Sequence, residues 1–308
     1  MKEIKASVSL RNKLAPYLFI SPWLAGLLIL TAGPLVLSLI MCFYDWSITG
    51  VPKFIGVDNF VRMFTQDPQF YDSLRITFSF AAVFVPFNLI LALLLAVLIT
   101  QQVKGVRLFR TVFYLPAVVS SVAVAIIWGW ILNSRYGILN YLLSLFSVEG
   151  PMWLLDRNWA FIAIIIASAW GVGTMMLVFY TDIKSIPIEL YEAASLDGLT
   201  IPGQFFRITV PIITPSILFN LITSIITALQ QLTLVMLLTN GGPMRSTYFY
   251  GMFVYNNAFK HHQIGYAAAN SWFMFIIILI ITSFVFKSSS AWVYYESEVK
   301  TAGKGGKD

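Results

Sequence analysis

The chain has 308 residues, of which 58% are hydrophobic and 11% are charged, and its formal net charge is +6. A soluble domain carries about 25% charged residues, so this composition excludes an ordinary soluble protein. The basic residues are scattered along the sequence instead of forming one patch, which argues against nucleic-acid binding.

Six long stretches of the chain contain no charged residue. Each exceeds the roughly 20 apolar residues needed to cross about 30 Å of hydrocarbon. The sequence therefore predicts an all-α, polytopic membrane protein with six transmembrane helices. Charges are absent from these stretches, so a proton relay or a voltage sensor is not expected there. The stretches are 14–44, 76–103, 111–134, 158–181, 208–244 and 261–286.

The distribution of Lys and Arg predicts the orientation. Of the 20 such residues, 13 lie on the side that holds both termini, so both termini are predicted to be cytosolic. The first apolar stretch is too long for a signal peptide and indicates an uncleaved span. The predicted organisation is a cytosolic N-terminus at 1–13, a transmembrane domain at 14–287 and a cytosolic polar tail at 288–308.

Two shorter segments are predicted to lie beside the spans. In the first external loop, Phe60, Met63 and Phe64 recur at helical spacing and indicate a short amphipathic helix. The segment 136–148 is too short to span, and its polar residues also recur at helical spacing, which favours a helix at the membrane surface.

The longest predicted cytosolic segment, 182–207, contains signals for two helices. Pro187 followed by Glu189 is a favourable helix start. Gly198 then supplies a turn, and Pro202 can open a second short helix. The sequence predicts a helix, a turn and a helix that project into the cytosol.

This segment also carries a specific motif. It contains Glu192-Ala193-Ala194, Asp197-Gly198, Phe205, Arg207 and Pro211. Their order and spacing resemble the "EAA" loop of binding-protein-dependent ABC importer permeases, although Leu199 stands where alanine is common in that family. Looser similarity over 16–46, 54–64, 239–243 and 265–271 indicates the carbohydrate-uptake branch, and the chain resembles the larger permease subunit of the maltose transporter.

The resemblance implies an ABC type I importer permease architecture, in which the coupling loop at 182–210 contacts an ATPase through the motif residues. It also implies the partners: a second permease subunit, expected to be a different chain, two ATP-binding cassette subunits and an extracytoplasmic solute-binding protein. The permease itself would hold no cofactor, because the partner ATPase binds ATP and Mg. The expected location is a bacterial or archaeal plasma membrane.

A stripe of polar residues in the fifth span predicts the path of the solute. Asn220, Ser224, Thr227 and Gln231 recur at intervals of four, three and four, so they share one helical face. Amides and hydroxyls suit a sugar, whose hydroxyls are uncharged. The predicted path also includes Asn88, Trp170 and Asn270. The alternative is that these side chains form hydrogen bonds between membrane helices.

Signals for chemistry are absent from the sequence. It contains no G-x-x-x-x-G-K-[ST] loop, so the chain is not expected to hydrolyse ATP or to act as an enzyme. His261 and His262 are adjacent and point about 100° apart on a helix, which does not favour a shared metal. The alternatives are a self-sufficient secondary carrier or channel for small polar solutes, an intramembrane enzyme, and an EAA-like loop that merely connects two spans.

Overall fold

The computed structural model describes residues 10–47, 50–101 and 105–294, with side chains from residue 17 onward. Residues 1–9 of the predicted N-terminal segment (1–13) and residues 295–308 of the predicted tail (288–308) lie outside these residues. The described part is almost entirely helical, and its strands β1 (Tyr44–Asp45) and β2 (Lys53–Phe54) pair antiparallel. The helices are α1 Leu10–Gly26, α2 Gly33–Met41, α3 Asp58–Thr65, α4 Pro68–Thr100, α5 Val106–Val118, α6 Ser121–Ile131, α7 Ile138–Leu145, α8 Arg157–Ala169, α9 Gly173–Ser185, α10 Ile188–Leu196, α11 Ile201–Gln204, α12 Val210–Ile212, α13 Thr214–Leu229, α14 Thr233–Leu238, α15 Tyr250–Tyr255 and α16 Ile264–Ser289. Segments of π-helix occupy Leu27–Ala32, Phe205–Thr209 and Asn256–Lys260.

Among the described residues, three of the six predicted spans are continuous helical segments and the other three are bent pairs of helices. Three are continuous and are long and apolar enough to cross a membrane: Tyr17–Met41, Pro68–Thr100 and Ile264–Ser289. The other three predicted spans are pairs of helices bent at short breaks, namely α5 with α6, α8 with α9, and Ile201–Ile212 with α13. Six spans result if each bent pair crosses the membrane once.

The third predicted span consists of two helices with a sharp bend between them. α5 and α6 meet at an angle of 107°. Val119 and Ser120 both have extended backbone conformations, and the Ser120 hydroxyl caps α6 by accepting from the Ala123 amide at 3.3 Å. The backbone N–H groups in the first turn of a helix have no partner within the helix, and the Ser120 hydroxyl satisfies one of them. α6 therefore begins here as a separate helix.

The described chain divides into two units, of which the first comprises residues up to Gln66 together with Val254–Phe273. In this unit α3 is the amphipathic helix predicted for the external loop, and Met63 is its fully buried apolar residue. Asn59 on α3 donates to the carbonyl oxygens of Cys42 (2.8 Å) and Tyr44 (3.1 Å). These bonds hold α3 against the end of α2.

The second unit comprises Asp67–Phe253 and the chain from Met274 onward. One of its cores joins α4, α9 and the start of α13 through small and branched side chains, which allow the helices to approach closely. The buried members are Ala92, Ala96, Ile99, Val172, Met176, Phe179, Ile183, Ile186 and Ile213. This core fixes the helices that lead into and out of the 182–207 segment.

Two other predictions concern the second unit. The helix expected within 136–148 is α7, and Asn140 on it anchors the following loop by accepting from Trp153 Nε1 (2.7 Å) and donating to the Pro151 carbonyl (3.2 Å). The first part of the predicted polar tail is packed: Val293 is buried, and the amide of Tyr294 donates to Thr214 Oγ1 at 2.9 Å.

Candidate functional site

The predicted helix–turn–helix is present in the 182–207 segment. α10 ends at Leu196, and the amide of Gly198 donates to the Ser195 carbonyl at 3.1 Å. Gly198 has a φ of +79°, a left-handed conformation that glycine adopts without a steric cost. α11 then begins with Pro202 in its first turn. We call residues 187–211 the EAA segment.

Side-chain hydrogen bonds hold the EAA segment together. The hydroxyls of Tyr191 on α10 and Thr209 in the π-helical turn lie 2.8 Å apart and share a hydrogen bond. Gln204 Nε2 on α11 donates to Ser195 Oγ on α10, also at 2.8 Å. Because each bond joins the first helix to the chain after the turn, the two arms are fixed to each other and can be displaced as one body.

The predicted coupling residues divide between the surface and the interior of this chain. Ala194 is buried in the chain itself, so only its neighbour Ala193 is available for close approach by a partner. Phe205 and Pro211 are half-buried. The exposed predicted residues are Glu192, Ala193, Asp197, Gly198 and Arg207.

Large apolar side chains around the same turn are also exposed, and the sequence analysis did not single them out. Leu196 is 90% exposed, Ile201 is 83% exposed and Phe206 is 67% exposed. Leu196 lies two residues before Gly198 in the turn, and Ile201 lies three residues after it. The EAA segment therefore combines exposed charges with an exposed apolar surface.

A cavity of about 580 Å³ lies among helices of the second unit, and we call it the polar cavity. It is lined by five of the seven residues predicted for the solute path: Asn88, Asn220, Ser224, Thr227 and Gln231. Its lining includes no Asp, Glu, Lys, Arg or His among the described residues. Hydroxyl groups from other helices contribute as well, and the sequence analysis missed them because they do not recur at helical spacing: Ser121, Ser168 and Thr174.

Several polar atoms at this cavity lack a partner within the described part of the chain. They are Asn88 Oδ1, Asn220 Nδ2 and Ser224 Oγ, in residues that are 8%, 3% and 3% exposed. A buried polar group without a hydrogen bond costs about 1–3 kcal/mol. Gln231 is different, because its Nε2 donates to Ser168 Oγ at 3.3 Å. The cavity therefore retains both donor and acceptor capacity.

Two residues predicted for the path lie elsewhere. The ring of Trp170 packs edge-on against Trp128, with centroids 6.0 Å apart, and does not line the polar cavity. Asn270 is fully buried, and its Nδ2 donates to the Tyr266 carbonyl of the same helix at 2.8 Å. Trp170 lies at the break between α8 and α9 and Asn270 lies on α16, so their contact with a solute stays a prediction.

No group of three or more His, Cys, Asp or Glu side chains in the described chain could hold a metal ion. Cys42 is free and fully buried. His261 and His262 are both exposed, at the end of the last π-helical segment.

Residues 88–295 match the family described as "Binding-protein-dependent transport system inner membrane component". The chain belongs to this family. The range that matches contains the EAA segment and the five predicted path residues that line the polar cavity. As an inner membrane component with several apolar spans, the protein is a multi-pass membrane protein.

Individual relatives of this inner membrane component are similar over nearly their whole length. The chain is 40% identical to the probable ABC transporter permease protein YesP of Bacillus subtilis (strain 168), over 96% of this chain and 97% of that protein. It is 33% identical to the lactose transport system permease protein LacF of Rhizobium radiobacter, over 86% and 91%. Among solved structures, a chain of a bacterial ABC transporter involved in the import of the acidic polysaccharide alginate aligns with a TM-score of 0.81 at 25% identity, over 92% of this chain and 97% of that chain.

Proposed function

We propose that the chain is a permease subunit of an ATP-driven ABC importer for a carbohydrate. Its solute would pass the polar cavity, and the EAA segment would receive the movement of an ATPase. The observation that carries this proposal is that the same two helices, α9 and α13, line the polar cavity and flank the EAA segment. A displacement of that segment therefore reaches the cavity directly.

The polar cavity supports a sugar as the solute. Sugars present many hydroxyls, each able to donate and to accept. The amides of Asn88 and Asn220 and the hydroxyl of Ser224 offer both kinds of partner at one cavity. Lactose and alginate are the solutes named for two relatives, so a saccharide is the class that the relatives favour.

The exposed part of the EAA segment supports contact with an ATPase. Leu196 and Ile201 present apolar surface beside the turn, and Glu192 and Asp197 add negative charges that can meet basic groups of a partner. An exposed apolar patch rimmed by charges is typical of a protein interface. Gly198, Phe205, Arg207 and Pro211 would shape this interface by setting the turn and the path of the second arm.

The proposed assembly contains this chain, a different second permease subunit, two ATP-binding cassette subunits and an extracytoplasmic solute-binding protein. ATP and Mg would be bound by the ATPase partners, and this chain would carry out no chemistry and bind no nucleic acid. The excess of Lys and Arg on one side supports cytosolic termini in a bacterial or archaeal plasma membrane.

To test the proposal, the chain is coexpressed with its candidate partners, and ATPase binding and ATP-dependent saccharide uptake are measured separately. The double variant Leu196→Glu with Ile201→Glu should insert into the membrane normally but lose the ATPase and uptake, because charges replace the apolar contact. Val51→Glu is the matched control, because Val51 is 91% exposed in a loop distant in sequence from the EAA segment.

Two results would contradict the proposal. Retention of the ATPase and of uptake in the double variant would exclude the EAA segment as the coupling interface. Saccharide transport by the purified chain without any ATPase would instead identify a self-sufficient carrier.

A further inference from the structure

The polar stripe of α13 extends beyond the polar cavity to Ser216. This residue lies four positions before Asn220, so it occupies the same helical face one turn nearer the EAA segment. The sequence analysis ended the stripe at Asn220. Ser216 is half-buried and does not line the polar cavity.

Ser216 is bonded across the helix interface to α9. Its Oγ donates to the Oδ2 carboxylate oxygen of Asp182. Asp182 in turn lies four positions after Val178, which lines the polar cavity. The hydrogen bond therefore joins α9 and α13 one helical turn beyond the cavity lining on both helices, between the cavity and the EAA segment.

Apolar residues neighbour Asp182 and Ser216 along both helices. Phe179, Ile183 and Ile213 are buried in the core that joins α4, α9 and α13, and Ile217 packs against it. Asp182 and Ser216 are both half-buried, so their hydrogen bond lies at the edge of the apolar core that joins the two helices.

We propose that Asp182 and Ser216 form a gate that closes the solute path at the end nearer the EAA segment. While the bond is made, α9 and α13 are held together below the polar cavity. The EAA segment follows α9 and precedes α13 in the chain and moves as one body, so its rotation shifts the end of α9 relative to the start of α13, which separates the two side chains and opens that end. The inference rests on the proposed function and adds the gating contact to it.

The decisive experiment locks the gate in the assembled transporter. Asp182→Cys and Ser216→Cys are combined in a Cys42→Ala background, and a short bifunctional thiol crosslinker that a reductant cleaves is applied. Uptake should be lost on crosslinking and restored by the reductant, while the ATPase stays bound. Each single-cysteine variant has no second thiol at the gate, so its own uptake should be the same before and after the crosslinker and the reductant are applied.

A second measurement weakens the gate instead. Ser216→Ala removes the donor, so solute leak through the transporter in proteoliposomes should rise by about tenfold or more, the effect expected for a lost hydrogen bond to a charged group. Ser185→Ala is the matched control, because Ser185 Oγ donates only locally, to the Asp182 carbonyl, at 2.7 Å.

The outcomes separate the two proposals. Unchanged uptake in an efficiently crosslinked complex, or a leak in Ser216→Ala equal to that in Ser185→Ala, would overturn the gate while leaving the importer function standing. Absence of ATP-dependent uptake in the unsubstituted transporter, with all partners present, would overturn both.

Discussion

Replacing Gly173 with alanine should force α5 and α9 apart. A Cβ atom at this position would lie 2.3 Å from the carbonyl oxygen of Phe113 and 2.7 Å from the Cα atom of Tyr114. Both are backbone atoms of α5, so no side-chain rotation can relieve the contact. Ordinary Cβ contacts begin at 3.4 Å, so α5 must move by about 1 Å.

The expected cost is large enough to measure. Overpacking of this kind costs about 1–3 kcal/mol, and a loss of that size lowers a melting temperature by at least about 2 °C. Because Gly171 and Thr174 on either side line the polar cavity, the displacement should also lower saccharide uptake.

The assay compares the melting temperatures of the purified wild-type, Gly173→Ala and Gly129→Ala proteins. Gly129 is also helical, but its added Cβ would meet only Leu238 Cδ2, at 3.8 Å. Gly129 lies inside α6, where alanine gains about 0.5–1 kcal/mol of helix propensity, whereas Gly173 is the first residue of α9 and gains less. The close contact with α5 should therefore take Gly173→Ala below the wild type as well as below Gly129→Ala. Equal melting temperatures for the two variants would refute the reasoning.

Three further substitutions probe other contacts. Tyr191→Phe removes the hydrogen bond to Thr209 and should lower uptake more than ATPase binding, with a loss of stability of about 0.5–1.5 kcal/mol in thermal unfolding. Asn220→Leu should raise the melting temperature, because it removes an unsatisfied buried donor, yet lower uptake; a lower melting temperature would contradict this account. Gly150→Ala places a Cβ 2.1 Å from Asn140 Oδ1, so it should displace the loop that Asn140 anchors and speed its proteolysis, with Gly26→Ala, which has open space, as the control.

The sequence predicts those features that depend on local signals. The EAA segment is correctly predicted as helix, turn and helix, because Pro187, Gly198 and Pro202 act through the backbone of their own neighbours. Asn220, Ser224 and Thr227 line one cavity because periodicity places them on one face of α13, whereas Gln231 reaches the same cavity from just beyond the end of that helix. These inferences require no knowledge of distant contacts.

The features that the sequence does not predict either have an ambiguous local signal or depend on neighbours distant in the chain. The bend between α5 and α6 was missed because Ser120 lies in an uncharged stretch, where a serine equally suits a continuous helix. Trp170 and Asn270 were assigned to the path by residue type, but a single residue carries no periodicity that fixes its direction. Ser216 was missed because its significance depends on Asp182, which is 34 positions away.

The exposed side chains of Leu196 and Ile201 should affect the steady-state amount of this protein in the cell. A copy made in excess of its partners would present bare apolar surface to water, the feature by which chaperones and proteases recognise unassembled subunits. We therefore expect the steady-state amount of the chain to follow the supply of the subunit that covers these two residues.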